Sequence, residues 1–219
     1  MKLGRFIDKV INKIQWKFIN PMLANIRKKK LITTDFTVIS NNCWGGRLYE
    51  YFNLPKQSPT VGLYFYAADY VKFCSNLKYY LSLDLKIITA EESKYRDDLF
   101  RKNEQSVFVG VLDDVELVFL HYHDKDIIKE KWQRRIERIN WDEIILKFSF
   151  QNNCTDELIR EFSRIPGYSK IILCGQPIDG VDDILVYPRS NGMETIDETE
   201  NFDRWLKPAA LINSKIKQK

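Results

Sequence analysis

The chain predicts an α/β fold, layered αβα around a largely parallel sheet, and three observations carry that expectation. Short β-branched runs alternate with amphipathic helical stretches along its 219 residues, the signature of strand–helix–strand units. Hydrophobic residues make up 44% and aromatic residues 13%, enough at this length to bury the core of one full domain. An Asn-Asn-Cys turn follows a strand twice, at residues 41–43 and 152–154, in the same strand–turn–helix–Pro–strand order.

The first predicted element is a basic amphipathic helix. Leu3, Phe6, Ile7, Val10, Ile14 and Phe18 share one stripe, with Lys2, Arg5, Lys9 and Lys13 mostly on the other side. Pro21 is expected to end this helix, and a basic cluster, Arg27 to Lys30, follows it. Residues 1–32 are thus set apart from a single α/β domain over 33–219.

Within that domain, Thr37, Val38 and Ile39 read as a buried strand that stops at Ser40, Asn41, Asn42 and Cys43. A helix is expected over 47–52, a strand over 60–64, one helix over 69–82 and a strand over 86–89. A charged loop spans 91–105, and two apolar runs, 107–111 and 115–120, form a hairpin around Asp113 and Asp114. A highly charged helix over 124–140 leads to a strand over 143–150, a helix over 155–165 and a strand over 169–174. Moving the sequence so that Asn41 falls on Asn152 also places Glu50 on Glu161, Leu54 on Ile165 and Pro55 on Pro166 without a gap. This predicts an internal duplication, with half-repeats over about 35–122 and 141–206.

Charge is distributed unevenly. Residues 1–30 carry nine Lys/Arg against one acid, whereas the remainder carries 25 basic against 29 acidic residues. The body has no basic excess, which excludes nucleic acid as its main partner. Two placements fit the N-terminal helix: on an anionic membrane surface, or packed on the domain with its charges solvated. No apolar run reaches the roughly 20 residues of a membrane span, and no secretory pattern is present. The expected location is cytoplasmic, with peripheral contact at the inner membrane under the first placement.

The candidate chemistry gathers at the turn after the first strand, where α/β proteins hold ligands. Cys43 is a candidate nucleophile whose pKa a positive helix end would lower. Only His121 and His123 can serve as its base, and His121 is chosen because it ends an apolar run. Gly45 and Gly46 would let a phosphate approach the backbone, and Trp44 would stack on a sugar. Ser40, Asn41, Asn42, Asn152 and Asn153 complete the substrate-binding candidates. Asp124 and Asp126 are weighed as metal ligands against a capping role at a helix start, which is preferred. The four cysteines show no CxxC spacing, so no metal centre is expected. Among Lys129, Lys131, Arg134, Arg135 and Arg138, most face solvent, while one arginine can reach a phosphate or carboxylate. Trp132 and Trp141 are read as core aromatics.

Several stretches together resemble one bacterial family. They are Ile39 to Gly46, Ser58 to Phe65, Val71 to Tyr80, Phe119 to Tyr122, Trp132 to Asn140 and Phe202 to Leu206. The family is that of exopolysaccharide biosynthesis proteins grouped as domain of unknown function nineteen-nineteen. The resemblance implies an α/β architecture and an accessory role in capsule, exopolysaccharide or O-antigen synthesis. It supplies no catalytic residues. The function expected first is a transferase acting on a sugar-linked glycan precursor, with acyl-CoA as donor, Cys43 as nucleophile and His121 as base. A nucleotide-sugar glycosyltransferase and a non-catalytic glycan-binding or scaffold protein remain the alternatives.

Overall fold

A computed structural model describes residues 14–199 and 202–216. The first part of the predicted amphipathic helix, residues 1–13, lies outside them. In chain order the strands are β1 (Thr37–Ser40), β2 (Leu63–Phe65), β3 (Lys86–Thr89), β4 (Phe108–Leu112), β5 (Val115–Phe119), β6 (Ile144–Ser149), β7 (Ser169–Cys174), β8 (Ile184–Val186), β9 (Ser190–Asn191) and β10 (Glu194–Thr195). The helices are α1 (Asn20–Lys28), α2 (Trp44–Tyr51), α3 (Ala67–Ser75), α4 (Leu77–Ser82), α5 (Arg96–Arg101), α6 (Lys125–Ile136), α7 (Asp156–Arg164), α8 (Phe202–Leu206) and α9 (Pro208–Lys215).

Two four-stranded sheets organise these elements. One is wholly parallel, in the order β1-β6-β7-β8, and the other is antiparallel, in the order β2-β5-β4-β3. Strands β1 and β6 are buried along their whole length, as a parallel sheet covered on both faces requires. Val38, Ile145, Ile171 and Leu173 pack with Trp44, Leu48 and Tyr49 of α2 and Ile212 of α9. Ile39, Leu146, Phe148 and Ile172 point the other way, into a cluster with Tyr70 and Phe73 of α3, Trp132 of α6 and Phe162 of α7. The same cluster takes Leu63, Phe65, Leu117 and Phe119 from the antiparallel sheet, so one core joins both sheets. The layered arrangement and the parallel sheet therefore agree with the sequence.

The antiparallel sheet is fastened to the carboxyl edge of the parallel one. Phe65 N–H donates to the Asn41 carbonyl at 3.0 Å and Ala67 N–H to the Asn152 carbonyl at 3.0 Å. The Tyr70 hydroxyl lies 2.7 Å from the Ile39 carbonyl and 2.9 Å from that of Lys147, so it bridges β1 and β6 at the point where they end. Because β5 pairs with β2, the residues following β5 are carried to that same edge.

Local departures have local causes. Pro21 does not end the N-terminal helix: a π turn, Gln15–Ile19, runs into α1, and Pro21 occupies its first turn, where no N–H is required. α2 begins at Trp44, three residues before the prediction, because the Asn42 Oδ1 accepts the Trp44 N–H at 3.1 Å. The second strand shortens to Leu63–Phe65, since the Thr60 hydroxyl accepts from Ser40 N–H at 3.1 Å and Gly62 turns with φ 86°. The single helix predicted over 69–82 breaks at Asn76 into α3 and α4. A short helix, α5, forms within the predicted charged loop, with Asp97 and Asp98 in its first turn. β8, β9, β10, α8 and α9 have no counterpart in the prediction. Trp132 is in the core, whereas Trp141 is 40% exposed and lies under the Lys78 ammonium.

The two Asn-Asn-Cys units follow neighbouring parallel strands, β1 and β6, and then diverge. β7 pairs in parallel with β6, whereas β2 joins the other sheet antiparallel to β5. Their turns differ as well. Asn152 and Asn153 both sit in the left-handed region, at φ 54° and 62°, which Asn tolerates better than most residues. Cys43 directly precedes its helix, whereas Thr155 caps α7 one residue after Cys154.

Candidate functional site

A polar network underlies the carboxyl edge of β1 and β6. Asn41 uses its whole side-chain amide on Ser149, donating to the carbonyl at 2.9 Å and accepting from the N–H at 3.0 Å, which extends the ladder by one rung. Asn42 is the hub. Its Oδ1 accepts from Trp44 N–H and from the Lys147 ammonium at 3.1 Å, and its amide donates to Gln151 at 2.8 Å and to Glu198. Lys147 and Glu198 form an ion pair, 0% and 1% exposed, that Ser149 and Thr195 complete by hydrogen bonds to the carboxylate. Burial pushes the Lys147 ammonium below its ordinary pKa, opposed by Glu198.

Cys43 and His121 meet above this network. The Cys43 Sγ lies 3.7 Å from the His121 Nε2, brought together from 78 positions apart by the β1 turn and the end of β5. Cys43 is partly exposed, and its position at the N-terminal end of α2 sets it beside the first-turn N–H groups. Burial nevertheless pushes its thiol above the ordinary value, with Arg47 and Lys147 pulling it back down. The expected lowering by the helix end is therefore overturned: desolvation of the thiolate is the larger effect.

Two clefts meet at Cys43. The larger, about 540 Å³, is lined by Cys43, His121, Gly46, Arg47, Tyr122 and Arg135 among others. The smaller, about 370 Å³, carries Asn42, Cys43, Tyr64, Lys102, Asn152 and Glu198. Thr199 borders both as Cys43 does, while Asp197 and Glu198 line the smaller cleft alone.

The predicted site residues separate into those the clefts reach and those they do not. Cys43, His121, Asn42, Gly46 and Asn152 line the two clefts, and Asn153 lines a third, about 310 Å³, adjoining the smaller one. Ser40 and Asn41 are fully buried and serve the turn itself. Trp44 is 0% exposed, packed in the core with the Lys147 ammonium 5.5 Å from its ring centre, so it has no free face to stack on a sugar. Gly45 packs on Ser40 and Val38, and a Cβ at Gly46 would stand 3.0 Å from Val61, so both positions let α2 lie close to its neighbours. Asp124 caps α6 through Asp126 N–H at 2.8 Å and Ile127 N–H at 3.0 Å, as preferred.

Lys147 and Glu198 were not among the predicted site residues, and Arg135 was named only as one of the arginines of its helix that can reach a phosphate or carboxylate. Lys147 left a trace in the sequence, a lone charge inside the apolar run Ile144 to Phe148. Glu198 left none, because acids crowd the stretch around it.

Fold and site define the class: an α/β protein with a thiol–imidazole pair at the carboxyl edge of a parallel sheet. The chain belongs to the family described as Domain of unknown function (DUF1919), whose model matches residues 14–215. It is similar to a Haemophilus influenzae protein named "Uncharacterized protein", 31% identical over 171 residues that cover 78% of this chain and 75% of that one. Among the described residues no helix is long and apolar enough to cross a membrane.

Proposed function

We propose that the protein is a thiol-dependent acyltransferase acting on a sugar-linked precursor of a bacterial surface polysaccharide, with acyl-CoA as donor. The observation that carries the reading is the 3.7 Å approach of Cys43 Sγ to His121 Nε2 at the meeting point of two clefts. His121 takes the thiol proton, and the thiolate attacks the thioester carbonyl. The C–S bond to coenzyme A breaks, and the departing thiolate recovers the proton from His121. A sugar hydroxyl then attacks acyl-Cys43 while His121 removes its proton. The Cys43 thiolate leaves and is reprotonated by His121. First-turn N–H groups of α2, beyond the Trp44 N–H that Asn42 accepts, would donate to the oxyanion that forms on the thioester's carbonyl oxygen when the Cys43 thiolate attacks. The polysaccharide context rests on the motif resemblance.

Incubation with a panel of acyl-CoAs, followed by intact-mass analysis, tests the chemistry. One acyl group is expected on wild type and none on Cys43→Ser, with His121→Asn slowed about 10²-fold or more. No adduct on wild type, or an equal adduct on Cys43→Ser, overturns the reading and leaves the binding-protein alternative.

The same proposal places the protein at an anionic membrane surface. α1 packs inward with Asn20 and Ala24, while it and the π turn before it leave apolar residues outside: Phe18 and Met22 are 57% and 78% exposed, and Ile19, Leu23 and Ile26 are exposed with them. Lys17, Lys28, Lys29 and Lys30 flank this face, and residues 14–34 hold no acid, a charge complement to anionic lipid. Flotation with phosphatidylglycerol vesicles is expected for wild type and lost in Met22→Glu/Ile26→Glu. Retention by the double variant sinks this placement.

A further inference from the structure

The larger cleft is built against a buried guanidinium that lacks an acid partner. Arg135 is 8% exposed, and both of its hydrogen bonds leave one nitrogen: Nη1 donates to the Val61 carbonyl at 2.8 Å and to the Tyr122 hydroxyl at 2.7 Å. The Tyr122 hydroxyl donates onward to Val61 at 3.0 Å. Both acceptors are neutral, and among the described residues no carboxylate forms an ion pair with Arg135. A cation held out of water without a counter-ion is costly, and its neutral contacts recover only part of that cost.

The other cations of the region show the contrast. Lys147 has Glu198, while Arg47 and Lys56 share Glu50 at 3.2 and 3.0 Å. Lys131 resembles Arg135: it is one helical turn away on α6, lines the same cleft, and has its ammonium 5.0 Å from the Tyr122 ring centre with no carboxylate partner among the described residues. Four cations and one acid line this cleft, so a single carboxylate ligand would leave positive charge uncompensated. Gly62 makes the arrangement possible. At φ 86° it turns the Val61 carbonyl toward Arg135, and a Cβ there would stand 2.9 Å from the Tyr122 ring.

We propose that Arg135 and Lys131 form an anion subsite that receives a phosphate or diphosphate group of a ligand whose reacting end lies at Cys43. The planar fork of Arg135 offers its remaining N–H donors to two phosphate oxygens, and the Lys131 ammonium supplies a movable point charge. The subsite deepens the acyltransferase reading by naming what holds the substrate. Two sources share this chemistry, the phosphates of an acyl-CoA and the diphosphate of an activated sugar.

Calorimetric titration with inorganic pyrophosphate tests the subsite. Wild type is expected to bind, and Lys131→Gln to bind about tenfold more weakly, one charge-assisted contact being worth about that factor. Arg135→Lys, which keeps the charge and loses the fork, is expected to weaken binding by a similar factor. Because Lys131 is part-exposed and outside the core, its variant tests the site even if substitution of Arg135 disturbs folding. Competition by coenzyme A assigns the anion to the acyl donor, and competition by uridine diphosphate assigns it to an activated sugar; either result supports the subsite. No binding by wild type, or equal binding by wild type, Lys131→Gln and Arg135→Lys, overturns it. Acylation of Cys43 without pyrophosphate binding would remove the subsite and leave the acyltransferase standing; binding without acylation would do the reverse.

Discussion

The Cys43 thiol and the His121 imidazole lie 3.7 Å apart although they follow strands of different sheets, β1 and β5. The contact depends on β2, whose backbone is bonded to the Asn41 carbonyl on one side and to β5 on the other. The pair is thus held by main-chain geometry and not by side-chain adjustment alone.

Alkylation should reveal how this thiol is poised. Burial pushes the Cys43 pKa above its ordinary value, which disfavours the thiolate. Iodoacetamide is expected to label it more slowly than a free cysteine at neutral pH, with the rate rising into the alkaline range. Arg47→Gln should move that rise further up, because Arg47 is the leading influence lowering the pKa. A rate at pH 7 equal to or above that of free cysteine would contradict the burial argument.

Global stability should decline on the alkaline side. Cys43, Cys74, Cys154 and Cys174 are all free thiols with raised pKa values, Cys174 to about 12, and desolvation is the first cause in each. Native protein therefore keeps protons that the unfolded chain releases above about pH 8.5. Stability is full below that pH and is lost progressively as pH rises toward the folded-state values. Urea midpoints at pH 7 and pH 9.5 measure this; an unchanged or higher midpoint at pH 9.5 refutes it.

The Lys147–Glu198 pair should behave as one unit. Either Lys147→Met or Glu198→Leu leaves the other charge buried and is expected to cost about 3–5 kcal/mol. The double variant should cost clearly less than the two losses added together. Urea unfolding of the four proteins gives the coupling, and simple additivity would show that the pair does not act together.

Gly62→Ala and Gly167→Ala separate strain from collision. Both glycines have positive φ, 86° and 84°, but a Cβ meets the Tyr122 ring at Gly62 and open space at Gly167. About 1 kcal/mol is expected at Gly167 from backbone strain alone. Gly62→Ala should lose more and should weaken pyrophosphate binding, because Tyr122 must move. Equal losses at the two sites would show that the Tyr122 contact carries no weight.

Particular residues show what could be read in advance. Ser169–Cys174 and Lys86–Thr89 form the predicted strands, because runs of β-branched residues carry their own local signal. Cys43 and His121 were visible as the residue types a nucleophile and its base require, each at the end of an apolar run. Trp44 was misread because an aromatic side chain beside a glycine pair looks the same in sequence whether it faces a ligand or the core. β8 is three residues long and follows two aspartates, so its pairing with β7 has no local signature.

The sequence by itself determined the layered α/β class, the strand–turn–helix at Cys43 and the basic apolar character of the N-terminal segment, since these depend on propensity and periodicity over a few neighbouring residues. Only the tertiary structure decided that His121 reaches Cys43, that Lys147 is buried against Glu198 from 51 residues away, and that Arg135, among the charged residues of α6, turns into the cleft. Contacts of that range follow from strand order and sheet docking, in which the energy of a pairing depends on what the rest of the chain has already brought together.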